Sequence, residues 1–305
     1  METNVEKVVR GKHREIRLAL VALIAEGHLL IEDVPGVGKT MLAKAMARSI
    51  DCSFRRLQFT PDLLPTDVTG VNVFNQEQRD FEFRPGAIFA NIVLGDEINR
   101  ASPKTQSALL ECMEERQVTI DTQTHPLGTP FMVIATQNPI EHEGTYPLPE
   151  AQLDRFMLRL SIGYPSVEVE AEILGSHTTG APLADIRPVT DAPGVAEMIE
   201  QAREVHVAPA IRQYIVDIAK ATRDHRDIYL GASPRASLMI MRAARAFAAA
   251  QERDYVIPDD VKTLAVPTLA HRIIVTADAV MSGRSPDVVV GEVLADVAVP
   301  VAESP

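Results

Sequence analysis

The sequence predicts an α/β core built on a parallel sheet, followed by an all-helical domain. Three observations carry that reading. Short apolar runs at 28–32, 54–59, 89–94 and 131–135 alternate with helix-forming segments, and strand signals fade after about residue 164. The apolar mass is Ala, Val, Leu and Ile, with aromatics at 5% and no Trp, a composition suited to helices packed on a parallel sheet. At 305 residues the chain is too long for one typical domain and comfortable for two.

Taken in order, residues 14–26 predict a helix with Ile16, Leu20, Leu23 and Ile24 on one face, ended by Gly27. A strand at 28–32, a glycine-containing turn and a helix at 40–49 follow. Residues 54–59 predict a second strand. Val71–Phe74 and Phe81–Phe83 flank a polar tip and predict a hairpin. After the strand at 89–94, Ser102 caps a helix whose first turn holds Pro103. A second hairpin is expected over 118–127 and an apolar strand at 131–135. Helices are then expected at 166–175, 194–205, 209–222, 234–251 and 259–269. The segment 178–193, rich in Pro, Gly, Thr and Ala, reads as a linker, giving a core over 1–177 and a helical domain over 194–305.

A net charge of −12 weighs against a nucleic-acid partner, which requires a concentrated basic surface. Cys52 and Cys112 lie far apart, so no disulfide scaffold or zinc motif is expected and a reducing cytoplasm fits. No signal peptide and no membrane span is expected: the longest apolar run near the start, 18–25, is well short of the roughly 20 residues a bilayer requires.

The strand–turn–helix context frames Asp33-Val34-Pro35-Gly36-Val37-Gly38-Lys39-Thr40. This is the phosphate-loop pattern GxxxxGK[ST] with Asp33 in place of its first glycine. Glycines let backbone N–H groups curl around phosphate oxygens, and the following helix adds its positive end. Lys39 then neutralises the β- and γ-phosphates, and Thr40 offers a hydroxyl to Mg²⁺. The residues expected to hold ATP or ADP are Pro35, Gly36, Val37, Gly38, Lys39, Thr40 and Met41. The acidic side chain of Asp33 must point away from the phosphates.

An apolar strand ends at Gly95-Asp96-Glu97. Asp96 is expected to hold the magnesium shell and Glu97 to polarise the attacking water; a triphosphate site needs a metal, and the metal a carboxylate. The strand at 131–135 runs into Thr136-Gln137-Asn138, where Asn138 either holds water or γ-phosphate at the sheet's carboxyl edge or serves a simple turn before Pro139. Ser233 and Pro234 start a helix with Arg235 in its first turn, where a cation opposes the helix dipole; an anionic ligand accounts for it, and so does an ordinary surface position. Arg155 fits an arginine finger or a local ion pair with Asp154, and spacing does not choose between them. The eight histidines show no metal-ligand spacing.

Together these residues resemble the MoxR family of AAA+ ATPases over nearly the whole chain. The telling segment is 95–120, GDEINRASPKTQSALLECMEERQVTI, joined by QFTPDLLP at 58–65, FEFRPG at 81–86, EGTYPLPEAQLDRF at 143–156 and GASPRA at 231–236. The resemblance implies an AAA+ P-loop core, with a five-stranded parallel sheet between helices, and an all-α lid. It implies that Asn138 is sensor 1, Arg235 sensor 2 and Arg155 the arginine finger, with Val9 and Gly11 near the adenine. It also implies a homo-oligomer, generally a hexameric ring, acting as a chaperone-like remodelling ATPase on protein clients, often with partners carrying von Willebrand factor A domains. Two other functions compete: a nucleic-acid motor, opposed by the acidic charge, and a nucleotide-gated scaffold without turnover, opposed by the intact Asp96, Glu97, Asn138 and Arg235.

Overall fold

The structure, a computed structural model, describes residues 1–139, 144–177 and 182–300. In chain order the elements begin α1 (Glu2–Glu6), α2 (His13–Ile24), β1 (Leu29–Glu32), α3 (Lys39–Ile50), β2 (Phe54–Gln58), α4 (Pro65–Thr69), β3 (Gly70–Asn75) and β4 (Asp80–Pro85). Next come β5 (Ile92–Asp96), a 3₁₀ turn at Ile98–Arg100, α5 (Pro103–Glu115), β6 (Gln117–Ile120), β7 (Gln123–Pro126) and β8 (Met132–Gln137). The remainder is α6 (Glu150–Leu153), β9 (Leu158–Leu160), α7 (Val167–His177), a 3₁₀ turn at Pro182–Asp185, α8 (Ala192–Glu204), α9 (Pro209–Asp224), β10 (Ile228–Leu230), α10 (Pro234–Ala250), α11 (Pro258–Leu269), β11 (Ile274–Val275), α12 (Ala277–Met281) and α13 (Pro286–Asp296).

The sheet has five strands in the order β2-β5-β8-β1-β9, with helices before and between them, and a helical region follows. Parallel registers run Leu29↔Ile134 between β1 and β8, Ile92↔Met132 between β5 and β8, and Phe54↔Ile92 between β2 and β5. Ile92–Leu94 and Met132–Ala135 are fully buried along their length rather than on alternate residues, as strands covered on both faces must be. Burial of each larger side chain there stabilises the fold by about 1.5–3 kcal/mol. Because the strands run the same way, Glu32, Gln58, Asp96 and Gln137 reach one edge together.

Packing divides the chain into two compact units. One comprises Met1–Leu148 and Leu160–Ala196; the other comprises Pro149–Arg159 and Glu197–Pro305. Of the expected linker, 178–181 lies outside the described residues, while Val189 and Thr190 bond through their N–H groups to Ser49 O in the first unit. No helix among the described residues is long and apolar enough to cross a membrane. Both cysteines are free, and burial pushes the Cys52 thiol up to about 11 and the Cys112 thiol up to about 12.

The structure corrects the strand expected at 89–94, which starts only at Ile92. The Phe89 N–H donates to Gly86 O at 3.3 Å and the Ala90 N–H to Ile88 O at 2.8 Å, so the apolar residues before Ile92 form a buried turn. Phe89 packs edge-on against Phe83 of β4, with ring centroids 5.3 Å apart. The helical region also holds a small antiparallel pair, β10 with β11, whose strands are too short to show a period of two. Its last helix, α13, lies beyond the helices the sequence predicts; the Ser285 hydroxyl accepts the Val288 N–H at 3.3 Å, and Pro286 starts the first turn. His28, one of the histidines without metal spacing, is a buried brace. Its Nδ1 accepts the Val133 N–H, and its Nε2 lies 3.0 Å from Met113 O.

The β3–β4 hairpin closes at its base on Gly86, where an added Cβ would lie 2.3 Å from Val68 O and 2.5 Å from Gly70 N. Backbone atoms cannot swing aside as a flexible side chain would. Gly86→Ala should therefore destabilise the protein by about 1–3 kcal/mol, read as a lower urea midpoint with little change in the slope.

Candidate nucleotide site

The site is assembled at the carboxyl edge of the sheet. The loop after β1 turns through Gly36 and Gly38 at φ 86° and 97°, the left-handed region that favours glycine, and delivers the chain into α3 at Lys39. A Cβ added at either glycine would meet nothing within 4 Å. The glycines thus serve backbone curvature and open space beside the helix N-terminus, not close packing. A cavity of about 380 Å³ opens there. Pro35, Gly36, Gly38, Lys39, Thr40 and Met41 form one wall; Asp96, Glu97 and Asn138, joined by Arg56 and Gln58 of β2, complete it.

Asp33 fills the first glycine position of the loop without obstructing it. Its carboxylate turns toward the segment after β9. Oδ2 accepts the Gly163 N–H at 2.7 Å and the Ser161 hydroxyl at 3.1 Å, while Oδ1 accepts the Val34 N–H at 2.9 Å. Its backbone oxygen accepts Lys39 Nζ at 2.7 Å. The substitution thus exchanges a flexible residue for a latch that ties down the start of the loop.

The acidic end of β5 is held by its neighbours. The Thr136 hydroxyl, on the register neighbour strand β8, donates to Asp96 Oδ1 at 2.6 Å and accepts the Glu97 N–H at 2.9 Å. Asp96 Oδ2 accepts from Arg56 Nη2 at 2.6 Å and Nε at 3.1 Å. Glu97 sits at φ 57°, ψ 52°, a left-handed conformation that costs a non-glycine residue on the order of 1–3 kcal/mol. Its Oε2 accepts from Gln58 Nε2 at 2.8 Å and Arg100 Nη1 at 3.0 Å. Behind it, buried Gln106 of α5 donates to Ile98 O and Ala101 O, holding the turn that follows.

Of the residues singled out from sequence, Pro35, Gly36, Gly38, Lys39, Thr40, Met41, Asp96, Glu97 and Asn138 share this cavity; Val37 lies in the same loop and is not among its lining. Val9 and Gly11 also belong to the first unit and are not among that lining; a Cβ on Gly11 would meet Val169 Cγ2 of α7 at 3.1 Å, and Arg10 pairs with Glu172. Arg155 and Arg235 belong to the second unit, where Arg235 Nε lies 4.0 Å from Asp154 Oδ2. Sequence reading passed over Arg56, Gln58, Arg100 and Thr136. The available signal was a strand, Phe54–Gln58, with Arg56 and Gln58 on one alternating face at its carboxyl end.

The family described as the ATPase family associated with various cellular activities (AAA) matches residues 28–158, and the AAA lid domain matches 220–293. A Bacillus subtilis protein, YeaC, described as uncharacterized, is 50% identical over 301 residues, covering 99% of this chain and 94% of that one. Chaperone MoxR1 of Mycobacterium tuberculosis is 43% identical over 305 residues, covering 97% of this chain and 80% of that protein. The chain belongs to the MoxR family of AAA ATPases. A solved structure of a Cytophaga hutchinsonii protein assigned as an ATPase superposes on this MoxR-family chain with a TM-score of 0.91 at 39% identity, covering 98% of this chain and 93% of the other. Membership of this ATPase family implies nucleotide binding and ATP hydrolysis.

The latch at Asp33 gives a direct test of how the loop is held. Asp33→Gly restores the common glycine but leaves the Gly163 N–H and Ser161 hydroxyl without their acceptor. It should cost about 1.5–3 kcal/mol in denaturant unfolding, the range for hydrogen bonds to a charged group.

Proposed function

We propose that this MoxR-family chain couples Mg²⁺-dependent ATP hydrolysis at the cavity beside α3 to remodelling or maturation of partner proteins. The observation that carries the reading is the convergence of Gly36, Gly38, Lys39 and Thr40 with Asp96, Glu97 and Asn138 around one space. The residues fit a triphosphate. The glycines leave the helix N-terminus open, Lys39 supplies a cation, and Thr40 and Asp96 supply the hard oxygen donors that suit magnesium. Thr40 and Asp96 would hold Mg²⁺, which when bound would supply positive charge against the charge developing on the phosphates.

The chain's own residues take the remaining roles. Lys39 neutralises the terminal phosphates. Thr136 and Arg56 fix the plane of the Asp96 carboxylate. Glu97 orients the attacking water and accepts its proton, with Gln58 and Arg100 holding one of its oxygens. Asn138 holds water or γ-phosphate as sensor 1. Arg235 acts as sensor 2, and Arg155 as a finger completing the site of a neighbouring subunit in a homo-oligomeric, hexameric ring. Val9 and Gly11 form the adenine side. The chaperone name of MoxR1 supports protein clients, and the acidic net charge disfavours nucleic acid. The proposal extends the clients to partners with von Willebrand factor A domains. The proposed site of action is the cytoplasm, where Cys52 and Cys112 would stay reduced.

Two substitutions separate binding from chemistry. Lys39→Ala should abolish measurable ATP affinity in calorimetry; wild-type binding would remove the phosphate-loop reading. Glu97→Gln should bind ATP with magnesium yet turn over roughly 10²–10⁴-fold more slowly, and an unchanged rate would exclude Glu97 as the base. The finger is tested by mixing inactive Arg155→Ala subunits with inactive Lys39→Ala subunits. Mixed rings contain interfaces that join an intact phosphate loop to an intact Arg155. Activity should partly return and rise with protein concentration, because assembly follows mass action.

A further inference from the structure

Arg272, just beyond α11, carries a guanidinium that is 1% exposed. Almost every direction of its fork is spent on one short segment of chain. Nε donates to Asp154 Oδ1 at 2.8 Å; Nη2 donates to Asp154 O at 3.1 Å and Phe156 O at 2.5 Å; Nη1 donates to Met157 O at 3.1 Å and to Thr268 O. His271 reinforces the grip, its Nε2 lying 3.0 Å from Phe156 O. Burial pushes the Arg272 guanidinium down to about 10 against the pull of Asp154, so it stays charged at neutral pH.

The clasped residues flank Arg155 on both sides. Holding Asp154 O and Phe156 O fixes peptide planes around Arg155, since each peptide unit is rigid. The Phe156 side chain is fully buried, and the N–H groups of Arg155 and Phe156 bond back to Gln152 O and Leu153 O. The backbone on either side of Arg155 is therefore held by Arg272 together with these local bonds, while the Arg155 side chain itself is half-buried. If filling space were the need, an apolar side chain would serve at lower desolvation cost. A buried fork bonded to the carbonyls of Asp154, Phe156 and Met157 instead specifies geometry. Lysine cannot replace it: an ammonium has three donors and no planar fork.

We propose that Arg272 is the positioning residue of Arg155, acting through the backbone on either side of it; this rests on the reading of Arg155 as a finger that serves a neighbouring subunit. The test uses full-length subunits in mixed rings. Lys39→Ala subunits, whose own site is dead, supply only the finger, and Arg155→Ala subunits supply only the phosphate loop. Into the Lys39→Ala subunit one adds Arg272→Lys or, as the milder change at a partly exposed partner, Asp154→Asn. With ring incorporation checked by sizing and folding by melting curves, recovered turnover should fall about tenfold or more for Arg272→Lys. A misplacement of about 1 Å at a reacting centre costs on the order of 10²-fold. Asp154→Asn, which keeps the carbonyl bonds, should give a smaller loss in the same direction. In a chain otherwise unsubstituted, Arg272→Lys should lower kcat and leave calorimetric ATP affinity within about threefold, a split that general loosening of the fold would not give. Undiminished recovery with either added substitution overturns the positioning role alone. No recovery in the parent mixture of Lys39→Ala with Arg155→Ala overturns the finger and the positioning role together.

Discussion

One hydroxyl holds the chemical end of this sheet in place. Thr136 is fully buried at the carboxyl end of β8, and its single proton goes to Asp96 while its lone pair takes the Glu97 N–H. The second bond matters because Glu97 stands in a left-handed conformation that its own backbone disfavours. The first fixes one oxygen of Asp96, leaving Arg56 to fix the other. Two neighbouring carboxylates thus present defined oxygens to the cavity rather than rotating freely. Loss of that hydroxyl would leave a strained turn without its anchor and the Asp96 carboxylate without one of its two restraints.

Around this anchor the site is built as a balance of charge. The cavity wall carries Asp96 and Glu97 against Lys39 and Arg56, with Arg100 behind Glu97. Within this cluster each acid has a basic partner at hydrogen-bond distance, Arg56 for Asp96 and Arg100 for Glu97. An anionic nucleotide in this cavity would compete with these acids for the same basic groups, so its binding and the rearrangement of the ion pairs would be electrostatically linked. The Asp33 latch works at the start of the loop and outside the cavity lining, where its carboxylate is spent on Ser161 and Gly163.

The second unit uses the same device at a different place. Segment 149–159 precedes the helical part in sequence, separated from it by the residues of the first unit up to Ala196, and yet it packs with that helical part. The reason is the buried Arg272, whose bonds to Asp154, Phe156 and Met157 are made across more than one hundred residues of chain. Asp154 serves Arg272 with one oxygen and lies near Arg235 with the other, so the short LDRF run and the GASPRA helix start share a carboxylate.

How much of this was legible depends on the range of the interaction. The phosphate loop, the acidic strand end, both hairpins and the Ser102 and Ser233 caps were readable because each is encoded within a few adjacent residues: glycine at left-handed turns, a hydroxyl before a first-turn proline, an apolar run ending in carboxylates. The start of β5 was misjudged because a buried turn and a buried strand look alike in composition, and β10, β11 and α13 were missed because short or uniformly apolar pieces carry no distinctive period. Arg56, Gln58 and Thr136 became meaningful only when the parallel register set them beside Asp96 and Glu97. The sequence by itself determined the family and marked the residues proposed to hold a phosphate, a metal and a water. The tertiary structure alone decided which distant side chains hold those residues still, because hydrogen bonds between strands and between remote segments depend on register and burial that local patterns do not contain.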